Sequence, residues 1–365
     1  MQRIRHAPKS APPQHRVHGK AHRRLAPGGA LARAAKSAPL AQQVWRRLAD
    51  GQTHSGEQLA ADFGVSRSAV WKAVSRLRAL GTPIKALRHR GYQQSGAPAP
   101  LALAAINTQL TDEARAALGN GAVRWSVLST NDELLVQRAP PAGQFDFLLA
   151  EHQQAGRGRQ ARRWLSPPGG GLCLSLAWTF KALPRDAGAL SLAIGVCVLR
   201  ALHRFAPLAV SLKWPNDLVS AGGKLGGILI DLRAETAGPA VVVIGVGLNC
   251  SLGAPLSMRV RATGTEPVDL AGLGIGQCDR NRLAALLISD IVAGLKQFER
   301  DGFAPFAAPW RAADALAGRA VTVSGPQGQI VGHARGIDED GALCVQTRDA
   351  LLRFRSGDVS VRPGH

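Results

Sequence analysis

Residues 151–164, EHQQAGRGRQARRW, decide the fold of this chain. An apolar run leads into them, and the segment SPPGGGLCLSLAW leads out through a turn into a second apolar run. This pattern predicts a strand, a long glycine-containing loop and another strand. The loop holds four arginines within seven residues, together with two glycines and a closing tryptophan: Arg157, Arg159, Arg162, Arg163, Gly156, Gly158 and Trp164.

The chemistry of this loop indicates an anion as its ligand. Glycine lets the backbone approach a ligand closely, and a guanidinium group grips phosphate or carboxylate through a fixed fork of donors. We therefore interpret the loop as a segment that folds over a nucleotide or an acid. A solvated basic hairpin tip would carry the same residues, and the loop alone leaves both interpretations open.

Composition and charge narrow the class of protein. The chain has 365 residues, of which 45% are hydrophobic, and this is enough for two or three packed domains. The net charge is +20, and eleven Lys or Arg precede Asp50, the first acidic residue. Such a surplus favours a polyanionic partner, most often nucleic acid, although a cationic tail on a soluble protein is the alternative.

Cysteine spacing and hydropathy exclude other classes. The five cysteines lie far apart and show neither the spacing of a zinc site nor that of a disulfide framework. We expect them to be reduced, mostly buried thiols of an intracellular protein. We find no apolar run of membrane-spanning length, so the sequence predicts a soluble, cytoplasmic protein without a membrane partner.

Residues 1–38 are rich in Arg, Ala, Pro and His and show no periodicity, which predicts a disordered basic tail. A transit peptide would also lack acids, but this tail contains little serine and several prolines. A DNA-contacting arm and an idle extension from an upstream start codon explain it equally well. We favour an idle or weakly electrostatic tail.

Residues 39–95 predict a winged helix-turn-helix DNA-binding domain. An amphipathic helix stops at Gly51, a short helix follows, and Ser66 caps a third helix with one apolar face. Strands around a basic turn near Arg90 then form a wing. A helical hairpin for protein contacts is the alternative, and the basic outward face argues against it. The predicted DNA-binding residues are Ser66, Arg67, Ser68, Lys72 and Arg76.

The segment SGAPAP, residues 95–100, reads as a linker, and a second domain at 101–312 follows. It begins with a helix around 101–118, then a strand that ends in the polar triplet Ser129, Thr130 and Asn131. These side chains would hydrogen-bond a polar ligand or act as a simple helix cap, and the triplet alone does not decide.

Later strands of this domain also end in polar groups, which predicts a sheet that presents ligand-binding groups at its rim. One strand delivers Lys213, another begins at Lys224, and a third ends at Asn249. Both lysines would also serve as surface charges, and Lys224 is the weaker candidate. Residues 315–365 contain five short strands with glycine turns, which predicts a small barrel.

Taken together, these segments resemble the bifunctional biotin–protein ligases that also repress the biotin operon, the BirA type. The matching motifs, in the family's order, are HSGEQLAADFGVSRSAVWKAVSRLRALG, STN, EHQQAGRGRQARRW, KWPNDL, GGKLGGILID and IGVGLN. The resemblance runs from about residue 41 to the end. One departure is visible: the family loop commonly reads GRGRRG-R, and here Gln160 and Ala161 replace Arg and Gly. Losing one charge and one flexible residue would weaken loop closure.

The resemblance implies an α+β multidomain fold: a winged helix-turn-helix, a central α/β mixed-sheet domain of the biotin/lipoyl ligase superfamily and a C-terminal SH3-like β-barrel. It also implies that biotin's carboxylate joins the α-phosphate of ATP, with Mg²⁺, before transfer to a lysine of a biotin carboxyl carrier protein. Lys213, Arg159 and Arg157 would be catalytic. The implied biotin-binding set is Ser129, Thr130, Asn131, Gln153, Arg157, Gly158, Arg159 and Lys213. The implied adenylate-binding set is Arg162, Trp164, Asn249 and Lys224.

Repression, by the same resemblance, uses a homodimer that presents two helix-turn-helix units to operator DNA, with biotinyl-AMP as corepressor. Two rival functions remain. A ligand-sensing transcription regulator without ligase activity would bind DNA but release no pyrophosphate, and the intact loop arginines and Lys213 argue against it. A lipoate or octanoate ligase of the same superfamily should lack both the helix-turn-helix and the GRGR loop.

Overall fold

The fold is taken from a computed structural model, which describes residues 38–96, 98–234, 239–325, 328–355 and 360–363. Apart from Ala38, the predicted basic tail lies outside the described residues, so its prediction stays untested. The remaining chain, from Leu40 onward, forms one compact unit.

The N-terminal region is a winged helix-turn-helix, as the sequence predicts. Its elements are α1 (Leu40–Leu48), α2 (Gly56–Phe63), α3 (Arg67–Ala79), β1 (Ile84–Leu87) and β2 (Gly91–Gln94), and the two strands pair antiparallel.

Local signals in the sequence set the helix boundaries of this region. The Ser55 side chain accepts a hydrogen bond from the Gln58 amide at the start of α2, and Ser66 accepts one from the Ala69 amide at the start of α3. Gly64 ends α2 in the left-handed conformation, with φ 63° and ψ 37°. Because this turn is tight, α3 packs directly against α1 and α2.

The centre of the molecule is a mixed seven-stranded sheet in the order β3-β4-β5-β9-β8-β7-β6. Only β3 and β4 are parallel neighbours, and every other adjacent pair is antiparallel. The strands are β3 (Leu118–Val127), β4 (Phe145–Gln153), β5 (Gly171–Phe180), β6 (Ser211–Lys213), β7 (Asp217–Ser220), β8 (Gly223–Ala234) and β9 (Ala240–Asn249).

One face of this sheet packs against two long helices to form the main hydrophobic core. The helices of the central region are α4 (Leu103–Gln109), α5 (Asp112–Ala117), α6 (Thr130–Leu135), α7 (Leu190–Phe205), α8 (Gly253–Arg261), α9 (Arg280–Asp301) and α10 (Ala304–Ala312). The helix α7 packs against α9 and α10, and α9 also contacts α4 and β5. This layer leaves the opposite face of the sheet for α6 and the arginine loop.

The prediction that no apolar run reaches membrane-spanning length is wrong for Ala187–Phe205. By length and composition, this helical stretch of 19 residues is long and apolar enough to cross a membrane. However, 61% of its most apolar part is buried inside the protein. Its apolar character is therefore that of a core helix, since its neighbours are α9, α10 and β8.

Two boundaries differ from those predicted. The helix expected around 101–118 is two short helices, because Leu110 is extended and Thr111 caps α5 through the Ala114 amide. The polar triplet does not end a strand: β3 stops at Val127, and Ser129 is the N-cap of α6, accepting from the Asp132 amide at 3.3 Å.

The C-terminal region is a small antiparallel domain of five strands in the order β13-β12-β11-β10-β14, in line with the predicted fold class. The strands are β10 (Ala320–Gly325), β11 (Gly328–Ile337), β12 (Leu343–Gln346), β13 (Leu351–Phe354) and β14 (Ser360–Pro363). Its apolar residues join the central core, and the Trp214 indole donates to the Gly341 carbonyl at 3.1 Å. Because the core is continuous, the predicted boundaries at 101–312 and 315–365 stay predictions.

The five cysteines are free thiols, as expected. Cys173, Cys197 and Cys250 are buried, and burial raises the pKa of Cys173 to about 11 and that of Cys197 to about 12. Such thiols stay protonated at neutral pH and act as small apolar side chains.

Candidate functional site

Small residues line one strip on the face of the sheet opposite α7 and α9, and we call this strip the trough. Gly245 pairs in register with Ser175 of β5 and with Leu229 of β8, and Gly247 pairs with Cys173 and Gly227. Since residues two apart on a strand share a face, these positions line the same side of the sheet. Because these glycines carry no side chains, Asn131 and Trp164 can pack directly on the backbone of β9.

Asn131 lies over Gly245 at the start of α6. A Cβ atom added to Gly245 would lie 2.4 Å from the Asn131 side-chain oxygen, so only glycine lets this amide approach the sheet. The same oxygen is 2.5 Å from the Ser175 hydroxyl, and the Asn131 amide nitrogen donates to Asp231 Oδ2 at 2.8 Å. Asn131 is therefore fixed by β5, β8 and β9 together.

Thr130 and Gln153 extend this polar network. The Thr130 amide and hydroxyl lie 2.8 and 3.1 Å from Gln153 Oε1, and the Ser175 hydroxyl lies 2.7 Å from Thr130 Oγ1. Both Thr130 and Asn131 are buried, and Gln153 is half-buried at the end of β4. A row of amide and hydroxyl groups set in an apolar sheet suits a neutral polar ligand head group.

The arginine loop closes over this network as a compact hairpin. An isolated bridge pairs Arg157 with Arg163, the Gly158 amide donates to the Arg162 carbonyl at 2.7 Å, and the Trp164 amide donates to the Gly156 carbonyl at 2.8 Å. Gln160 at the tip has φ 53° and ψ 42°, the left-handed region that disfavours side chains with a Cβ atom.

Two carboxylates hold the Arg157 guanidinium. Its Nη2 atom lies 2.5 Å from Asp132 Oδ1 and 3.1 Å from Asp231 Oδ2, which join the loop to α6 and β8. Asp231 also accepts from Asn131, so one carboxylate connects the loop to the polar network. An anionic ligand at Arg157 would take the place of these carboxylates.

Trp164, at the end of the loop, lies flat on β9. A Cβ atom on Gly247 would come within 2.7 Å of the indole ring, so glycine is needed there as well. The ammonium group of Lys224 stands 6.0 Å from the ring centroid and pairs with Asp217 at 2.6 Å. The indole N–H is buried, and its neighbour on β5 is the Cys173 thiol.

Lys213 belongs to the same region, although it lies on β6, an edge strand of the sheet. It ends β6, pairs in register with Asp217 and is half-buried. Asp217 in turn pairs with Gly227, which pairs with Gly247. Lys213 therefore lies in the same row of paired residues as Gly247, the glycine on which Trp164 packs.

The base of the loop is anchored by a buried ion pair. Arg280, at the start of α9, is fully buried and donates to Glu151 Oε2 at 2.6 Å, while Glu151 Oε1 accepts from the Leu101 amide at 2.6 Å. Arg280 also donates to the Gly171 and Ala99 carbonyls. Glu151, the first residue of the decisive stretch, is thus a structural anchor.

The next residue, His152, closes the base of the loop from inside. Its Nδ1 atom lies 3.1 Å from the Ser166 carbonyl, which joins the outgoing and returning ends of the loop. Burial lowers the pKa of His152, and the nearby charge of Arg76 on α3 lowers it further, against the effect of the Ser166 hydrogen bond. The imidazole is therefore favoured in its neutral form.

The structure brings most predicted side chains together but separates others. Thr130, Asn131, Gln153, Arg157 and Trp164 converge, with Lys213 and Lys224 on the neighbouring strands. The Asn249 amide is used to hold the Lys224 and Val268 carbonyls, at 3.2 and 3.0 Å.

The other predicted residues cap a helix, face solvent or lie at the tip of the loop. Ser129 serves as a helix cap. Arg162 is exposed, with its guanidinium 3.5 Å from the Gln160 side chain. Gly158 and Arg159 lie half-buried at the loop tip.

Family models match the chain in three places. Residues 128–249 match the "Biotin/lipoate A/B protein ligase family", residues 41–93 match an "HTH domain", and residues 317–362 match the "Biotin protein ligase C terminal domain". The chain is 35% identical to the "Bifunctional ligase/repressor BirA" of Escherichia coli (strain K12) over 86% of its own length and 95% of that protein. The chain belongs to the bifunctional ligase/repressor family.

A Salmonella typhimurium member of the bifunctional ligase/repressor family is 37% identical over 86% of this chain and 95% of its own length. Among solved structures, "Biotin protein ligase from Aquifex aeolicus in complex with biotin and ATP" aligns at a TM-score of 0.57 and 26% identity. It covers 67% of this chain and 99% of that one. These findings confirm the predicted family and fold class.

Reasoning from the sequence missed four residues that the site of this family member contains: Asp132, Ser175, Asp217 and Asp231. Ser175 had a usable signal, because it is the polar residue within the apolar strand GLCLSLAW. Asp217 and Asp231 lie inside motifs already quoted, and Asp132 directly follows STN. Asp132 and Asp231 meet Arg157 from 25 and 74 positions away, whereas Asp217 pairs with Lys224 on the neighbouring strand.

The five predicted DNA-binding residues differ in their positions and contacts. Lys72 and Ser68 are exposed on the outer face of α3, and Ser66 caps this helix. Arg67 pairs with Glu57 of α2 at 2.9 Å, and the charge of Arg76 acts on His152 of the central domain. Arg76 is exposed as well.

Proposed function

We propose that this protein joins biotin to ATP to give biotinyl-5′-AMP and pyrophosphate, and then transfers biotin to one lysine of a biotin carboxyl carrier protein. We also propose that the biotinyl-AMP complex represses transcription at operator DNA. The observation that carries the ligase is the polar network of Thr130, Asn131 and Gln153 beneath an arginine loop. Similar proteins are named as a bifunctional ligase/repressor or as a biotin–[acetyl-CoA-carboxylase] ligase.

Biotin's head group would lie in the trough over β9. The buried amide and hydroxyl groups of Asn131 and Thr130, with Gln153, offer donors and acceptors to its neutral polar ring. Ser129 supports them by capping α6. Because their partners lie on three strands, these groups are positioned before the ligand arrives, and less ordering is required on binding.

The reaction brings two anions together, and cations must offset their charge. Arg157, Arg159 and Lys213 would hold the carboxylate and the α-phosphate, with the Gly158 backbone at the closest approach of the loop. Removing one such electrostatic contact typically costs about 3 kcal/mol, on the order of a hundredfold in rate. In this scheme the protein supplies no nucleophile, because the attacking amine belongs to the acceptor lysine.

The adenylate would lie on the Trp164 side of the trough. The exposed guanidinium of Arg162 would meet phosphate oxygens, while the indole would cover the base and Lys224 would add charge beside it. The Asn249 amide would act indirectly, by holding the backbone of Lys224. Closing this side also shields the reactive anhydride from water.

Mg²⁺ would enter with the nucleotide. The described residues contain no cluster of three His, Cys, Asp or Glu side chains able to hold a metal ion. Magnesium is usually bound by one or two carboxylates together with substrate phosphates, so this chemistry fits ATP as the main ligand. The ion would supply positive charge at the phosphates, and Asp217 and Asp231 are candidate carboxylates on the sheet.

Repression would use a homodimer in the cytoplasm, without a membrane partner. A two-fold dimer would present two copies of α3 to successive major grooves of a two-fold operator. Ser66, Arg67, Ser68, Lys72 and Arg76 are the proposed DNA-facing set from the sequence. Free, buried thiols are in keeping with a reducing compartment.

Single-turnover incorporation of labelled biotin into a carrier domain, with ATP and Mg²⁺, tests the ligase. The change Lys213→Ala should slow biotinyl-AMP formation about a hundredfold, because the carboxylate and phosphate then lose a shared cation. The matched control is Lys181→Ala, an exposed lysine just beyond the opposite end of β5, which should leave the rate unchanged. A wild type that binds biotin but transfers none would favour the sensor-only regulator instead.

A further inference from the structure

The outer face of α3 carries an exposed tryptophan. Trp71 is 59% exposed, whereas Val70, Ala73, Val74 and Leu77 form the buried face of the same helix. A large aromatic side chain left in water forfeits most of its burial energy, since about 25 cal/mol is lost per Å² of exposed apolar area. Such a residue on a DNA-facing helix calls for a partner.

Two arginines of α3 also have partners within the domain. Arg67 pairs with Glu57, and the Arg78 guanidinium donates to the Ile84 carbonyl, each at 2.9 Å. At about 100° per residue, Ser68, Trp71, Lys72 and Ser75 share one arc of about 100° on the outer side of α3. Ser68, Trp71 and Lys72 are exposed, and Ser75 is half-buried.

The side chains in this arc suit different parts of a DNA duplex. Lys72 is a point charge suited to phosphate, and the two serines can donate or accept at any base pair. Trp71 brings a broad apolar surface, and the apolar feature that the major groove offers is the C5-methyl group of thymine. A basic neighbour on the same face favours DNA over an apolar protein surface as the partner.

We propose that Trp71 is a specificity-determining residue of the DNA-binding domain, packing its indole against a thymine methyl group in the major groove. This inference rests on the proposed repressor function and adds to it the residue that distinguishes one base pair. Lys72, one position along, holds the helix to the backbone without reading sequence.

The test begins with selection from a pool of randomised DNA duplexes by the full-length protein, in the presence of biotin and ATP. The wild type should enrich a two-fold motif with a fixed thymine in each half-site. Trp71→Ala should lose the preference at that position alone and bind the wild-type motif about tenfold more weakly, with unchanged affinity for a scrambled duplex. Trp71→Phe should retain part of the preference.

Replacing the fixed thymine by uracil isolates the methyl group. The wild type should bind the uracil duplex about as weakly as Trp71→Ala binds the thymine duplex, and Trp71→Ala should not distinguish the two duplexes. The matched control is Lys72→Ala, which should weaken binding to all duplexes alike and reduce the salt dependence by about one counterion. Thermal unfolding of each variant verifies the fold.

Three outcomes overturn the inference. One is a Trp71→Ala protein that enriches the same motif with the same affinity. Another is an equal loss on specific and scrambled duplexes, which would make Trp71 a general contact. In the third, the wild type enriches no motif with or without biotin and ATP. That result removes the proposed repressor function and, with it, the role of Trp71.

Discussion

At the scale of single residues, the site depends on where side chains are missing. Gly245 and Gly247 have ordinary backbone conformations, so neither is present for its conformational freedom. Each is needed because another side chain occupies the space above it, Asn131 in the first case and Trp164 in the second. Sequence patterns reveal a glycine in a strand, but not which side chain lies over it.

The change Gly245→Ala should weaken biotin binding by on the order of ten- to a hundredfold. The added Cβ would push Asn131 away from Ser175 and Asp231, and a displaced buried amide loses hydrogen bonds worth about 1–3 kcal/mol. Isothermal titration with biotin measures the effect. Gly276→Ala is the control, because a Cβ atom added there would have no atom of the described residues within 4 Å, and its affinity should match the wild type. Equal affinity in both variants would contradict the placement of biotin at Asn131.

At the scale of elements, an ion pair ties the arginine loop to the rest of the fold. Glu151 ends the buried part of β4 and Arg280 begins α9, and both side chains are removed from water. Their charges are satisfied further by the Leu101 amide and the Ala99 and Gly171 carbonyls. The loop therefore starts from a fixed point on the core.

Arg280→Met should lower the free energy of unfolding by about 3–5 kcal/mol, because it leaves the Glu151 carboxylate buried without its partner. Urea denaturation followed by circular dichroism measures this change. Arg300→Met removes an arginine from the exposed pair with Asp301 on the same helix and should cost less than about 1 kcal/mol. A similar small loss for Arg280→Met would show that the pair is not isolated from water.

The elements also show what the sequence could and could not predict. The capping serines and the terminating glycine allowed α2 and α3 to be predicted from the sequence, because each of these residues lies within four positions of the backbone groups that it contacts. The strand predicted to end at Asn249 is β9. The contacts of Asp231 with Asn131 and Arg157 join residues up to 100 positions apart, so strand order had to be known first. Lys213 was predicted from its motif, but its alignment with Gly247 required the register.

At the scale of the whole molecule, the winged helix and the catalytic sheet meet through aromatic rings. Trp45 of α1 is fully buried, and its ring lies 5.2 Å from that of Trp125 on the edge strand β3, tilted by 48°. Gly169, which follows the arginine loop, also lies against Trp45. The two proposed activities are thus joined by packing at the base of the ligand-binding loop.

Trp125→Ala should divide thermal unfolding into two transitions, the winged helix melting first. The change removes an aromatic pair worth about 0.5–1.5 kcal/mol beyond its buried area, and with it part of the apolar contact between the two regions. Differential scanning calorimetry detects the split. Trp71→Ala, which removes an exposed tryptophan from the same region, should leave the profile as in the wild type. A single unchanged transition for Trp125→Ala would mean that other contacts couple the regions.

The contact of Arg157 with two aspartates has a consequence for selectivity. A cell contains many small anions, such as phosphate and organic acids, that a bare arginine would attract. Here any such ion competes with Asp132 and Asp231, which are tethered beside the guanidinium and so act at high effective concentration. Only an anion that also gains contacts elsewhere in the trough can displace them. The loop therefore selects among anions by the part of the ligand beyond its anionic group.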